Sequence, residues 1–311
     1  MIMKRLILLA VATIVAMSAT AQDLTVATFN IRNDTKVDRE RGDGWTQRCP
    51  QVCRIVQVRD FDIFGAQEVK HAQLLDMCKE LTDYAYEGEG REGGEKGEYS
   101  PVFYKKDRFI KLDGGTFWLT DGDTSKPGKG WDARYNRICS WVRLKDKECK
   151  RVFWYFNLHM DHRGIVARRE SSHLILKKIA EIANPNEPVV LTGDFNVDQT
   201  NEIYSIIADS GVLVDSYTVA KKRFDIVGTF NGFKPQAWTD HRIDHIFISP
   251  SWSAEMYDVD TDVYWTEVKD AATATGDFPK EQSMKLYQTR MPSDHFPVVV
   301  KLSYGSKSKK K

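Results

Sequence analysis

The chain of 311 residues carries 45 Lys and Arg against 44 Asp and Glu, with 41% hydrophobic and 11% aromatic residues. Without Lys4, Arg5 and the four lysines of the C-terminal tail, 39 basic residues face 44 acidic ones. This balance argues against broad electrostatic affinity for nucleic acid, though a local basic cleft stays open.

Residues 1–21 read as a signal peptide. Lys4 and Arg5 precede an apolar stretch from Leu6 to about Met17, and Ala19, Thr20 and Ala21 form a small-x-small cleavage pattern. A membrane anchor needs a longer apolar run of about 20 residues. The mature chain is therefore expected to begin near Gln22, exported to the periplasm or beyond and without a membrane span. Residues 22–305 show no linker, repeat or low-complexity stretch, so one domain is expected. Residues 306–311, SKSKKK, form a short basic tail. The five cysteines leave at least one thiol unpaired within the chain, and Cys49 and Cys53 suit a shared buried helix face. No CxxC pattern points to structural zinc.

LTVATFNI (24–31) and DIFGAQE (62–68) read as strands whose ends switch from apolar to polar. Between them, WTQRCPQVCRIVQV reads as a helix, with Val52, Ile55, Val56 and Val58 in its apolar stripe. A second helix is expected over about 69–81. The Gly- and Glu-rich GEGREGGEKGE follows, then short strands near 101–104, 108–112 and 115–119. Residues 117–137 are irregular. ICSWVRL (138–144) and RVFWYFNLH (151–159) are strands, and a helix runs from about 164 to 183. VVLTGD is the next strand, followed by a helix near 201–209. RIDHIFIS (242–249) and FPVVVKL (296–302) are the last clear strands. Strands outnumber helices and many are hairpin-like. Two mixed sheets packed together and covered by helices fit this better than one doubly wound parallel sheet.

The stretch VVLTGDFNVD raises the functional question. Side chains at i and i+2 of a strand point the same way, so Asp194 and Asn196 can converge while Phe195 turns into the core. Taken alone, Gly, Asp and Asn also make an ordinary turn. Yet the pattern recurs. One strand ends on Asn30, another on Gln67 and Glu68, and a third on Asn157 and His159. Asp244 lies inside an apolar strand, and Asp294 and His295 precede the last one. Acidic residues are rarely buried unpaired. A hard divalent cation such as Mg2+ or Mn2+, held by oxygen ligands and a substrate phosphate, supplies a shared reason.

TFNI, QE, NLHMDH, GDFN, RIDHI and SDHFP, in this order across about residues 24–302, resemble the endonuclease/exonuclease/phosphatase superfamily. Its members include DNase I-like nucleases, abasic-site endonucleases, sphingomyelinases, inositol polyphosphate phosphatases and a deadenylase-like group. The resemblance implies an α/β four-layer sandwich of two mixed β-sheets flanked by helices, with the active site at one end. By the same resemblance Glu68 would be the principal metal ligand, with Asn30 beside it and Asp294 completing the site. Asp194 would activate or align the attacking water, and Asn196 would hold the phosphate. His295 would lie against the phosphoryl group with Asp244 orienting its imidazole. His159 would work from the other side, paired with Glu98. His245 departs from the Tyr frequent at its position and is assigned to packing.

Phosphate-ester hydrolysis needs these residue types, because charge gathers on the phosphoryl oxygens. His162, Arg163 and Arg168 follow the His159 strand and can face either phosphate or solvent. Trp131 and Trp238, in irregular segments, are the aromatics placed to meet a ligand ring. The expected function is metal-dependent hydrolysis of a phosphodiester by direct attack of water, on a small phosphorylated ligand or an exposed end. The alternatives are a phosphomonoesterase acting on a sugar or inositol phosphate, a nuclease, or a non-catalytic binding module. A monomer is expected, with nucleic acid the less favoured partner.

Overall fold

The computed structural model describes residues 23–224, 228–269, 276, 277, 279, 282 and 284–304. The expected signal peptide and the basic tail lie outside the described residues. In chain order, β1 (Leu24–Asn30) is followed by α1 (Lys36–Glu40), α2 (Trp45–Val58), β2 (Ile63–Gln67), β3 (Val69–Lys70) and α3 (His71–Glu80). Next come β4 (Tyr84–Glu87), β5 (Glu98–Tyr99), β6 (Val102–Lys105), β7 (Phe109–Trp118), β8 (Ile138–Asp146) and β9 (Val152–His159). The middle of the chain forms α4 (Ile165–Ile182), β10 (Val189–Asp194), α5 (Glu202–Ala208), β11 (Val214–Asp215) and α6 (Ser216–Val219). The last elements are β12 (Asp244–Ile248), β13 (Trp252–Val259), β14 (Tyr264–Glu267), β15 (Tyr287–Arg290) and β16 (Val298–Tyr304).

Two six-stranded mixed sheets result. Their orders are β13-β16-β1-β2-β6-β4 and β11-β12-β10-β9-β8-β7. The period of two along each strand divides its residues between two faces. Val26, Ile63, Tyr155, Val190, Ile246 and Val300 pack between the sheets. Their neighbours Ala27, Phe29, Phe64 and Ala66 face outward onto Val52, Cys53 and Val56 of α2 and Leu74 and Met77 of α3. On the second sheet, Phe156, Leu158, Leu191 and Phe247 face Ile175 and Ile179 of α4 and Ile203 and Ile207 of α5. This is the four-layer sandwich expected from the sequence. All five cysteines are free, and Cys49 and Cys53 share the buried face of α2. Among the described residues, no helix is long and apolar enough to cross a membrane.

Several boundaries differ from the sequence reading. The two strands expected at 108–112 and 115–119 are one strand, β7, whose pairing with β8 shifts register between Lys111 and Asp113. An extra residue there breaks the period of two and makes the sequence look interrupted. A similar shift between Ala254 and Met256 hid β13, and half-exposed YAYE hid β4. Val69 and Lys70 pair with β5 before α3 begins, so that helix starts at His71 rather than 69.

Candidate active site

Strand direction gathers the polar residues at one end of the sandwich. β1 and β2 are parallel, with Asn30 opposite Gln67, so the chain delivers Asn30 and Glu68 side by side. β9 and β10 are parallel in the other sheet and place His159 opposite Asp194. β12 runs antiparallel to β10, which sets Asp244 directly across from Asp194. β16 runs antiparallel to β1, so Asp294 and His295, just before β16, arrive at the same edge. Asn30, Asp194, Asp244, Asp294, His159 and His295 are all buried.

The turns leaving these strands are strained. Arg32, Glu68 and Asn196 have φ values of 59°, 62° and 51°. Left-handed backbone costs a non-glycine residue roughly 1–2 kcal/mol, and such positions gather at functional sites. All three line one cavity of about 640 Å3 with Asp194, Asp294, His159 and His295.

Its acidic wall is closely bonded. Asn30 Nδ2 lies 3.0 Å from Asp194 Oδ2, 3.2 Å from Glu68 Oε1 and 3.5 Å from His295 Nε2. Asn33 donates to Glu68 Oε2 through its backbone N–H at 3.0 Å and its side-chain amide at 2.8 Å. His295 Nδ1 meets Asp244 Oδ2 at 2.9 Å, and its Nε2 stands 3.9 Å from Asp194 Oδ2. Asp194 also accepts the Asn196 backbone N–H at 2.9 Å and lies 3.5 Å from His159 Nε2. Burial first, then the facing Asp244, push the Asp194 carboxyl up to about 7. Burial opposes charge on His295, but Asp244, Asp194 and Asp294 outweigh it and raise the imidazole to about 10. His159 goes the other way. Burial, then Arg137 and Arg91, hold it well below the usual histidine range.

The same cavity carries basic side chains that the sequence reading missed. Arg32, Lys70, Arg91 and Arg137 line the cavity with Tyr135. Arg91 sits over the Tyr135 ring, 4.7 Å from its centroid. Asp161, in the NLHMDH stretch, accepts Arg137 Nε at 3.2 Å and the backbone N–H groups of Arg134, Arg163 and Gly164. It thereby ties the 133–137 loop to the end of β9. The available signal was positional, since Arg137 stands immediately before a buried strand as the acidic residues stand after theirs.

Five of the expected residues make contacts that the sequence did not suggest. Glu98 lines the cavity, but its Oε2 pairs with Arg91 Nη1 at 2.6 Å and its Oε1 faces Asn33 Nδ2 at 3.3 Å; the carboxylate near His159 is Asp194. Asn30 presents its amide nitrogen to the carboxylates, while its oxygen accepts the Arg32 N–H at 3.0 Å. Asn196 directs its amide to Met160 O at 3.0 Å. Arg168 donates to Asp161 O rather than lining the cavity, and Trp131 does not line it either.

The donor set fits a hard divalent cation. Glu68, Asp194 and Asp294 line one cavity, Asp244 Oδ1 is buried without a hydrogen-bond partner, and burial raises the Asp294 carboxyl despite His295 beside it. One ligand atom from each of Asp194, Asp244 and His295 lies within 4.8 Å of the others. That group differs from the Glu68, Asn30 and Asp294 set expected from the sequence. His295 Nδ1 is already committed to Asp244, so oxygen donors from Glu68 and Asp294 suit a cation better. Asp294 Oδ2 lies 3.4 Å from Arg32 Nη1, which partly offsets its charge meanwhile.

A model of the Endonuclease/Exonuclease/phosphatase family matches residues 27–295. Among solved structures, an endonuclease/exonuclease/phosphatase family protein from Bacteroides thetaiotaomicron is 45% identical, covers 92% of this chain and 99% of its own, and superposes with a TM-score of 0.85. A mannosyl-6-phosphatase from Bacteroides thetaiotaomicron VPI-5482 is 47% identical over 90% of this chain and 100% of its own, with a TM-score of 0.83. TDP2 of D. rerio, complexed with a single-stranded DNA product, shares the fold at 12% identity and a TM-score of 0.62, covering 90% and 99% of the two chains. Carboxylates, histidines and guanidiniums around one cavity, on this fold and with this match, place the chain in the endonuclease/exonuclease/phosphatase family of phosphate-ester hydrolases.

Proposed function

We propose that the chain is a divalent-cation-dependent phosphomonoesterase that releases inorganic phosphate from a phosphorylated sugar. The observation that carries this reading is the pair of guanidiniums, Arg91 and Arg137, that line the same cavity as Asp194 and His295. A terminal phosphate bears more charge than a diester, and two forked donors match its oxygens. Similarity to a mannosyl-6-phosphatase over nearly both chains supports the same substrate class. Together these favour the monoester over the phosphodiester, which the family chemistry alone had placed first.

Asp194, with a carboxyl near neutrality, takes the proton of a water aligned for attack on phosphorus. Cationic His295, steadied by Asp244, faces the phosphoryl group and donates from Nε2. His159 is a neutral donor beside Asp194. Arg91 and Arg137 hold the non-reacting oxygens. Glu68 and Asp294 would hold Mg2+ or Mn2+, whose chemistry is neutralisation of charge at the phosphoryl oxygens. Export to the periplasm or beyond is part of the same proposal and rests on residues 1–21 alone.

Steady-state rates on a hexose 6-phosphate and on bis(4-nitrophenyl) phosphate test the reading. The monoester should be preferred by at least about a hundredfold in kcat/KM, a difference of roughly 2.7 kcal/mol. A faster diester would overturn it.

A further inference from the structure

A second cleft opens beside the catalytic cavity. It has a volume of about 340 Å3, at the small end of ligand pockets, and Phe230 and Ile243 line both spaces. Phe230 is 45% exposed, and its ring stands edge-on to His295 with centroids 5.1 Å apart. At the far side Trp238 is 60% exposed, its indole stacked on Phe296 at 6.1 Å and 26°. Both exposed rings line this one cleft, so they form a shared apolar surface beside the catalytic cavity.

The loop carrying them is fixed by main-chain bonds to the catalytic segment. Asn231 and Gly232 donate their N–H groups to Asp294 O at 2.8 and 3.0 Å, and Phe296 donates to Thr229 O at 2.7 Å. Asn231 lines the cleft, is only 4% exposed and has a buried Nδ2 without an acceptor. Its Oδ1 is used by the Phe233 N–H at 2.8 Å.

We propose that the cleft from Phe230 to Trp238 is a leaving-group subsite for a second sugar ring, so that the substrate is a phosphorylated oligosaccharide rather than a free hexose phosphate. The inference rests on the sugar-phosphatase reading above. A pyranose has an apolar C–H face to lay on Trp238 and hydroxyls at its edge to meet Lys234, Thr239 and His241, which also line the cleft. The phosphate would sit among Arg91, Arg137 and His295, and the rest of the substrate would pass Phe230 into the cleft.

The test compares kcat and KM for a hexose 6-phosphate with those for a disaccharide phosphorylated at the same carbon, in the wild-type chain, Trp238→Ala and Trp238→Phe. The wild type is expected to favour the disaccharide about tenfold through KM. Trp238→Ala should lose that preference in KM, with the ratio of kcat values kept, and Trp238→Phe should retain most of it. An unaltered preference in Trp238→Ala, or equal loss in both variants, overturns the subsite while the hexose phosphate turnover leaves the sugar-phosphatase reading standing. A wild type that hydrolyses neither sugar phosphate overturns both. Should Trp238→Ala instead raise KM chiefly for nucleoside 5′-monophosphates, the ring is a base and the proposal fails.

Discussion

Asp194 and Asp244 oppose each other across β10 and β12, where like charges repel. His295 offsets this by bonding Asp244 through Nδ1 and facing Asp194 through Nε2. Asp244→Asn should therefore lower turnover by about a hundredfold to a thousandfold without unfolding the chain, as expected for a misoriented acid–base group. Steady-state rates alongside a thermal melt check this. Deeper in the same strand region, Asp215 is bonded by Arg242 at 3.0 Å, Tyr204 at 2.8 Å and the Tyr217 N–H at 2.9 Å. Burial would raise its carboxyl, but the nearby His245, Arg242 and the backbone donor hold it at about 2. A depressed folded pKa stabilises the fold above the ordinary Asp value of about 3.9 and loses that contribution as pH falls towards 2. Urea midpoints measured from pH 5 to pH 2 should fall less steeply in Asp215→Asn than in the wild type, from a lower starting value. A parallel fall would show that Asp215 carries no such linkage.

At the scale of elements, the strands were legible in period and the strand ends in composition, yet similar polar endings proved to have two uses. Glu68 and His159 enter the cavity. Gln67 and Asn157, one and two residues before them, instead face each other between the sheets. Gln67 Nε2 meets Asn157 Oδ1 at 2.7 Å and Thr28 Oγ1 at 2.9 Å, and Thr192 Oγ1 also reaches Asn157 at 3.1 Å. Only the pairing of sheets decides which polar residue turns which way, and one sequence does not carry that information. The network explains Gly65, where a Cβ would sit 2.2 Å from Asn157 Oδ1. Gly65→Ala should destabilise the fold by about 3 kcal/mol, read from the urea midpoint, since overpacking and a broken buried bond combine. Arg48 on α2 was equally hidden. Fully buried, it donates to Ile31 O, Arg32 O, Pro292 O and Asp43 O, and so ties the loop after β1 to the segment before Asp294. Arg48→Lys, with one point donor where a fork is needed, should cost about 3 kcal/mol by the same assay and lower turnover about tenfold. Full retention of both would deny it that positioning role.

For the whole molecule, the resemblance read from six short motifs agrees with the family match and the four-layer architecture. What the motifs could not supply was the basic side of the cavity. Arg91 comes from a Gly- and Glu-rich loop and Arg137 from the irregular stretch before β8, neither having a period to mark it. Those two residues move the reading from a diester towards a terminal phosphate. They also keep the basic groups inside a cup, on a body with a slight excess of acidic residues, instead of along a track for a nucleic-acid backbone. The most direct measurement is inorganic phosphate release from a hexose 6-phosphate by the wild-type chain and by Asp194→Asn, each with Mg2+ or Mn2+ and again after chelation. Release should require the cation and fall by about a thousandfold in Asp194→Asn. Release indifferent to both changes, or cleavage of single-stranded DNA with the hexose phosphate left untouched, would contradict the assignment.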